Sequence, residues 1–350
     1  MFNRLRRRRR KDRPAEAPVG AEALDERGRF RSDLWFDQPD AGDHIARWAR
    51  AGKIDRELTL ALERFIELGY LTLQLDLPER VFSEIDEAVD RLWSDKPADV
   101  AFAYHSRLTP FCYADEATQR QPGYRISDLY SFSPAARELY LHPRIFEVVN
   151  LLFGGPALAI QSLYFEYGSY QQLHRDPVHV QTVPPWNLLA AWIALEDIDP
   201  RSSVLAYVPG SHRLGYHRFD NGDYRYDASR HGDAEAEAMA AFERDQCAEA
   251  GLPVETFVPP RGGLLVWHHS LLHGGPKAED PTLTRKSFVV HYTKRSAAPR
   301  RCGEFVEWVP DRDGNSVSRL RMVETEEVLE CGEAAGLGNP LQRYQVRPPS

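Results

Sequence analysis

The sequence predicts a mainly β fold with flanking helices: a two-sheet barrel or jelly roll buttressed by amino-terminal helices. Three observations predict it. Helical periodicity is concentrated before residue 154. From Ala157 onward, short apolar or aromatic runs alternate with turns rich in Gly and Pro. No stretch repeats, and no linker divides the chain, so a single domain over residues 31–350 accounts for the pattern.

Taken in order, residues 1–30 are poor in apolar side chains and rich in Arg, Glu, Ala and Pro, which predicts a disordered tail. Asp55 to Tyr70 (DRELTLALERFIELGY) carries Leu58, Leu60, Leu62, Phe65 and Ile66 in a helix-compatible pattern and ends at Gly69; LTLQLD after it reads as a strand. Pro78 to Ser94 has Val81, Ile85, Val89 and Leu92 on one helical face, with Pro78 suited to a first turn. A third helix is expected over Ser133 to Phe153, containing Pro143. The runs ALAIQSLYFEYG, NLLAAWIAL, SVLAYV, LPVETFV, GGLLVW and RKSFVVHY then read as strands of a core over about residues 157–295. An acidic insert over about 219–250 interrupts them and carries a helix from Ala234 to Ala248.

Charge restricts the function classes. The net charge of −8 hides an uneven distribution: residues 4–13 hold eight basic side chains and one acid, which leaves −15 on the remainder. Such a body repels phosphates, so specific nucleic-acid binding is not expected. The Arg tail reads as a solvated arm, with electrostatic attachment to an anionic surface as the weaker alternative. No run reaches the roughly 18 apolar residues of a membrane span, and the amino terminus lacks the apolar core of a secretory signal, which predicts a cytoplasmic protein. Cys112, Cys247, Cys302 and Cys331 form no CxxC pair and are expected as reduced thiols.

The stretch that carries chemistry is QQLHRD, residues 171–176. In extended backbone alternate side chains share a face, so His174 and Asp176 converge as two ligands of one metal ion must. A His-x-Asp/Glu triplet is weak evidence alone, since composition supplies roughly two in such a chain. The second copy, His231-Gly-Asp233, lies in a polar stretch without apolar alternation, and Asp233 reads there as a helix N-cap. A third ligand for the first copy must come from His268, His269 or His273 in WHHSLLHGGP. His268 and His269 adjoin an apolar run, where a histidine is more often a core or rim residue; His273 stands clear of it. Two histidines and a carboxylate are the ligand set of non-haem Fe(II) oxygenases. Twelve residues after His273, Arg285 opens RKSFVVHY, and strand alternation places Arg285, Ser287, Val289 and His291 on one face. A guanidinium there can grip a carboxylate with two parallel hydrogen bonds.

With these residues in view, the chain resembles the phytanoyl-CoA dioxygenase (PhyH-like) family of Fe(II)/2-oxoglutarate-dependent oxygenases over about residues 56–295. The ordered pieces are GYLTLQ, QSLYFEYGSYQQLHRD, WIALEDID, YVPGSHR, GGLLVWHHSLLHGGP and RKSFVVHY. The resemblance implies a double-stranded β-helix, a jelly-roll or cupin-like core with helices packed on it. It implies Fe(II) held by His174, Asp176 and His273, and 2-oxoglutarate held by Arg285 with Ser287 beside it. Gln161 matches a position used near 2-oxoglutarate in related hydroxylases, with a structural hydrogen bond as the equal alternative. The implied reaction consumes 2-oxoglutarate and O2, is stimulated by ascorbate, releases succinate and CO2, and hydroxylates a small-molecule substrate. The alternatives are a catalytically silent barrel that retains metal or ligand binding, and a metal-dependent hydrolase or isomerase with no use for Arg285. Trp186 is a candidate for the substrate mouth or a hydrophobic plug, and His179 a candidate substrate contact. The chain departs from the family pattern at Arg201-Ser202-Ser203, at Gly274-Gly275 where Gly-Ser is common, and at Phe165, which stands where ectoine hydroxylases have a polar residue.

Overall fold

The computed structural model describes residues 20–331 apart from 96–100, 105–111, 114–119, 181, 228–229, 295–303, 311–315 and 325–326. The Arg-rich stretch before residue 20 lies outside the described residues. The packed chain starts earlier than composition predicts. A 3-10 turn at Gly20–Ala23 is followed by a bridge between Leu24 and Phe30, and Ala23 and Leu24 are buried. Two apolar residues that pair in a short polar segment are enough to bring it onto the core.

Helices α1 (Ala41–Arg50), α2 (Arg56–Leu68) and α3 (Glu79–Asp95) precede most of the sheet. The Asp55 carboxylate caps α2 by accepting the Leu58 N–H at 2.7 Å, and Gly69 ends it with φ of +84°. The single helix expected over 133–153 is two, α4 (Pro134–Tyr140) and α5 (Pro143–Phe153). Pro143 has no N–H to continue α4 and its ring would clash with the preceding turn, so it starts a new helix instead. The insert helix α6 spans Asp233–Glu249. Its N-cap is Gly232 rather than Asp233: the Gly232 N–H donates to Glu235 at 2.9 Å, which places Asp233 one residue inside the helix.

The strands are β1 (Tyr70–Gln74), β2 (Ala101–Tyr104), β3 (Cys112–Tyr113), β4 (Tyr124–Ser127), β5 (Ala157–Phe165), β6 (Leu189–Ala194), β7 (Leu205–Tyr207), β8 (Glu255–Phe257), β9 (Gly263–His268), β10 (His273–Gly274) and β11 (Ser287–Lys294), with β12 (Glu304–Pro310), β13 (Ser316–Glu324) and β14 (Glu327–Cys331) beyond the expected core. The larger sheet runs β1-β9-β6-β11-β5-β4-β2-β3, and the smaller one runs β10-β7-β8. Alternation divides the larger sheet cleanly. Tyr164, Ala191, Ile193, Leu264, Val266, Phe288 and Val290 face the helices in one core. Leu163, Phe165, Ala190, Trp192, Leu265, Trp267 and Val289 face inward with Leu205 and Tyr207 of the smaller sheet in a second. This two-sheet antiparallel core flanked by helices is the expected fold. Among the described residues no helix is long and apolar enough to cross a membrane.

Candidate metal centre

The seam between the two sheets builds the site. His174 and His273 exchange backbone hydrogen bonds of 2.9 and 3.1 Å across an isolated antiparallel bridge, which sets their rings side by side at 4.5 Å. Arg175 is extended (φ −114°, ψ 133°), so Asp176 returns to the face that His174 occupies. Asp176 Oδ1 lies 4.0 Å from His174 Nε2 and 3.5 Å from His273 Nε2. These spacings are slightly wider than the roughly 3 Å separating adjacent ligands on one face of an octahedron.

Hydrogen bonding prepares the three for a cation. His174 Nδ1 lies 2.8 Å from the Gln172 carbonyl and His273 Nδ1 lies 3.0 Å from the Leu271 carbonyl. A carbonyl only accepts, so each Nδ1 carries the proton and each Nε2 presents a lone pair. The Trp267 indole donates to Asp176 Oδ2 at 2.7 Å, which turns Oδ1 toward the histidines. Burial, then the charge of His273, holds His174 well below the usual imidazole range. Burial raises the Asp176 carboxyl, but His273 and His291 more than offset this and hold it well below its usual range. The donor set therefore fits a divalent ion: two imidazoles that each turn Nδ1 to a carbonyl, beside an ionised carboxylate.

Arg285 sits in the same interior. It is 2% exposed, donates from Nε to the Ser203 carbonyl at 2.7 Å and from Nη1 to Ser287 Oγ, and pairs with no carboxylate among the described residues. Its guanidinium lies 5.6 Å over Phe165 and 5.5 Å over Trp192. Burial, opposed by Glu196, lowers it to about 9, a cation short of counter-charge. Gln161 faces His291 across the β5–β11 ladder, two register pairs beyond Leu163 and Val289 in the direction away from Phe165. At Gly275 a Cβ would stand 2.5 Å from Ser169 Oγ, which accounts for glycine where a serine is common.

His179 is exposed at the mouth, its ring 5.8 Å from His174 and 6.2 Å from Tyr226 of the insert. Trp186 is not brought to the triad. It is buried in the core beneath the helices and donates to Asp33 at 2.7 Å. His268 and His269 point to the outside of β9 and meet Asp37. His231 accepts the Asp227 N–H and stacks on Phe219 at 4.1 Å, local contacts within the insert.

Three residues at the site carried no assignment in sequence. Trp267 was readable only as core. His291 stands on the predicted face, with Nε2 3.5 Å from Asp176 Oδ1 and no hydrogen bond to either ring nitrogen. Arg125, on β4, is paired in register with Phe165; its Nε is buried and unpartnered, it has no carboxylate partner among the described residues, and burial lowers it to about 10. An unbalanced guanidinium on a site face marks an anion subsite, but nothing in the local sequence around GYRIS shows that it turns inward.

The fold has solved counterparts. The carbocyclase SnoK and the epimerase SnoN of nogalamycin biosynthesis, each described as non-heme and alpha ketoglutarate dependent, align over 71% and 70% of this chain and 88% and 85% of theirs, at 20% and 21% identity and TM-scores of 0.51 and 0.50. A mouse phytanoyl-CoA dioxygenase domain-containing protein 1 is 25% identical over 193 residues, covering 52% of this chain. The chain spans about three fifths (61%) of that relative's length. The family model for phytanoyl-CoA dioxygenase (PhyH) matches residues 67–279, which include all three triad residues, and on that match the chain belongs to the phytanoyl-CoA dioxygenase family.

Proposed function

We propose that this chain is an Fe(II)- and 2-oxoglutarate-dependent dioxygenase that hydroxylates a small molecule and releases succinate and CO2. The observation that carries the reading is the convergence of two imidazole nitrogens and one carboxylate oxygen in an interior that also holds a buried guanidinium with no carboxylate partner among the described residues. Fe(II) bound there supplies activation of O2 coupled to oxidative decarboxylation of the 2-oxo acid.

The chain's own groups bind, orient and exclude water. His174, Asp176 and His273 hold the ion. Arg285 takes the far carboxylate of 2-oxoglutarate through Nη groups whose position Ser203 and Ser287 fix. Arg125 supplies a second positive charge, which suits a dianion. Leu163, Phe165, Trp192 and Val289 line the interior with apolar surface and shield the reaction from solvent. Asp176 separates this site from halogenases of the same architecture, in which the carboxylate is lacking, and this favours hydroxylation. A hydrolase or isomerase would have no use for Arg285.

The test is slow uncoupled succinate release from protein given Fe(II), 2-oxoglutarate and ascorbate without substrate. Release that disappears in His174→Ala supports the reading. Absence of both iron and 2-oxoglutarate binding under anaerobic conditions overturns it. A turnover screen over substrate classes, with product mass read for the gain of one oxygen, then identifies the substrate.

A further inference from the structure

We propose that Glu243, on the insert helix α6, is a positioning residue for the metal centre that acts through Arg175, the side chain held between two of the ligands. The inference rests on the iron site proposed above and concerns what keeps its His174–Asp176 pair in place.

Alternation that turns both ligands inward turns Arg175 outward, and there it is fully enclosed at 0% exposure. Its Nη1 donates to the Gly215 carbonyl at 2.7 Å and Nη2 to the Ser211 carbonyl at 3.4 Å, and Glu243 Oε2 lies 3.0 Å from Nη2 as an ion-pair contact without hydrogen-bond geometry. The guanidinium also lies 4.6 Å over the Tyr216 ring. A side chain held on this many sides fixes the backbone it grows from, and that backbone carries a ligand on either side.

The geometry closes into a ring. On α6, Gln246 brackets the same Gly215, accepting its N–H at 3.2 Å and donating to its carbonyl at 2.9 Å. The chain therefore runs from Glu243 to Arg175 to Gly215 and back through Gln246 to the same helix. Arg27 packs closely on Gly215: a Cβ there would lie 2.3 Å from the Arg27 carbonyl oxygen, so a side chain does not fit.

Helix docking alone does not explain the arrangement. Only Ala240, Glu243 and Cys247 of α6 are buried, so its contact face is centred on a carboxylate 4% exposed. Apolar side chains at both 175 and 243 would dock the helix at least as well, since desolvating an ion pair offsets much of its attraction. What a charged pair adds is register: Arg175 is drawn to one place along the helix.

The experiment titrates Co(II), a spectroscopic stand-in for Fe(II), into wild type, Glu243→Gln, Glu243→Ala and the double variant Arg175→Met/Glu243→Met, all well below their melting temperatures. Glu243→Ala should weaken Co(II) binding by about tenfold or more and alter the visible Co(II) bands, while Glu243→Gln stays within about threefold of wild type. The double variant strands no charge and keeps α6 docked; it should still bind about fivefold more weakly. If Glu243→Ala does not fold, the double variant decides. Wild-type Co(II) affinity and spectrum in the folded variants would overturn the proposal and leave Glu243 as a docking residue only. If wild type itself takes up no Co(II), the metal-site reading fails, and the positioning role falls with it.

Discussion

Two groups of two histidines and one aspartate stand on opposite sides of β9, and by distance alone the outer one is the tighter. Asp37 meets His268 Nε2 at 2.8 Å and His269 Nε2 at 3.4 Å, closer than the 3.5 and 4.0 Å of the inner triad. The difference lies at the far ring nitrogen. His268 Nδ1 receives the backbone N–H of Ser270 at 3.0 Å. A backbone N–H only donates, so His268 must carry its proton on Nε2 and spend it on Asp37. At the inner site both Nδ1 atoms face carbonyls, which leaves both Nε2 atoms turned toward Asp176. The outer group is a brace that ties the segment around Asp37 to β9, extended through His269, Ser270 and Tyr216 at 2.7 and 2.9 Å. Proximity gathers polar groups in both places; the partners at the far ring nitrogens tell them apart.

The comparison breaks most directly by substitution at the ligands. His174→Ala or Asp176→Ala should weaken Co(II) or Fe(II) binding by about 100-fold or more, whereas His268→Ala should leave it within about threefold. Loss of metal in the folded His268→Ala protein would show that the outer group binds it. Next in size, Asp37→Asn should lower folding stability by about 2 kcal/mol in urea unfolding, without changing metal affinity, because it weakens charge-assisted bonds to two buried imidazoles. An unchanged unfolding midpoint would remove the bracing role.

Trp267→Phe removes the donor on Asp176 Oδ2 and should weaken metal binding by about tenfold while 2-oxoglutarate affinity of the metal-loaded protein stays near wild type. An unaltered metal affinity would mean Oδ1 needs no such orientation. The smallest effect is one of pH. Burial, reinforced by neighbouring His268, holds His269 down at about 4 although Asp37 opposes it. Unfolded histidine takes a proton near 6.5. The unfolded chain thus binds more protons between those values, and stability is lost as pH falls through that window. Between pH 7.5 and 5.5 this amounts to about 1 kcal/mol, and His269→Gln should flatten that part of the profile; an identical slope in the variant would assign the dependence elsewhere.

Much of this was legible because strands encode faces locally. The period of two that pairs His174 with Asp176 also aligns Ser287, Val289 and His291, and the structure keeps both alignments. What stayed hidden depends on closure of the barrel. Asp37 reaches His268 across 231 positions, and Trp267 reaches Asp176 across 91, from segments whose own patterns announce only core or loop. Arg125 was invisible for the same reason, since one charged residue in a strand looks solvent-facing until its register partner Phe165 is known to point inward. The break between α4 and α5 was written in Pro143, but the apolar periodicity on both sides masked it.

The bridge between His174 and His273 has one more consequence. Its halves stand 99 residues apart in sequence, so an ion bound there is also a cross-link that closes a loop of that length. Binding only the closed form, the ion stabilises the seam in proportion to the logarithm of its concentration over its dissociation constant. The amides of His174 and His273 are then the natural reporters: they should exchange with solvent sooner in metal-free protein than when it is loaded. An ion there would fasten the segment that carries His174 and Asp176 to β10 of the smaller sheet.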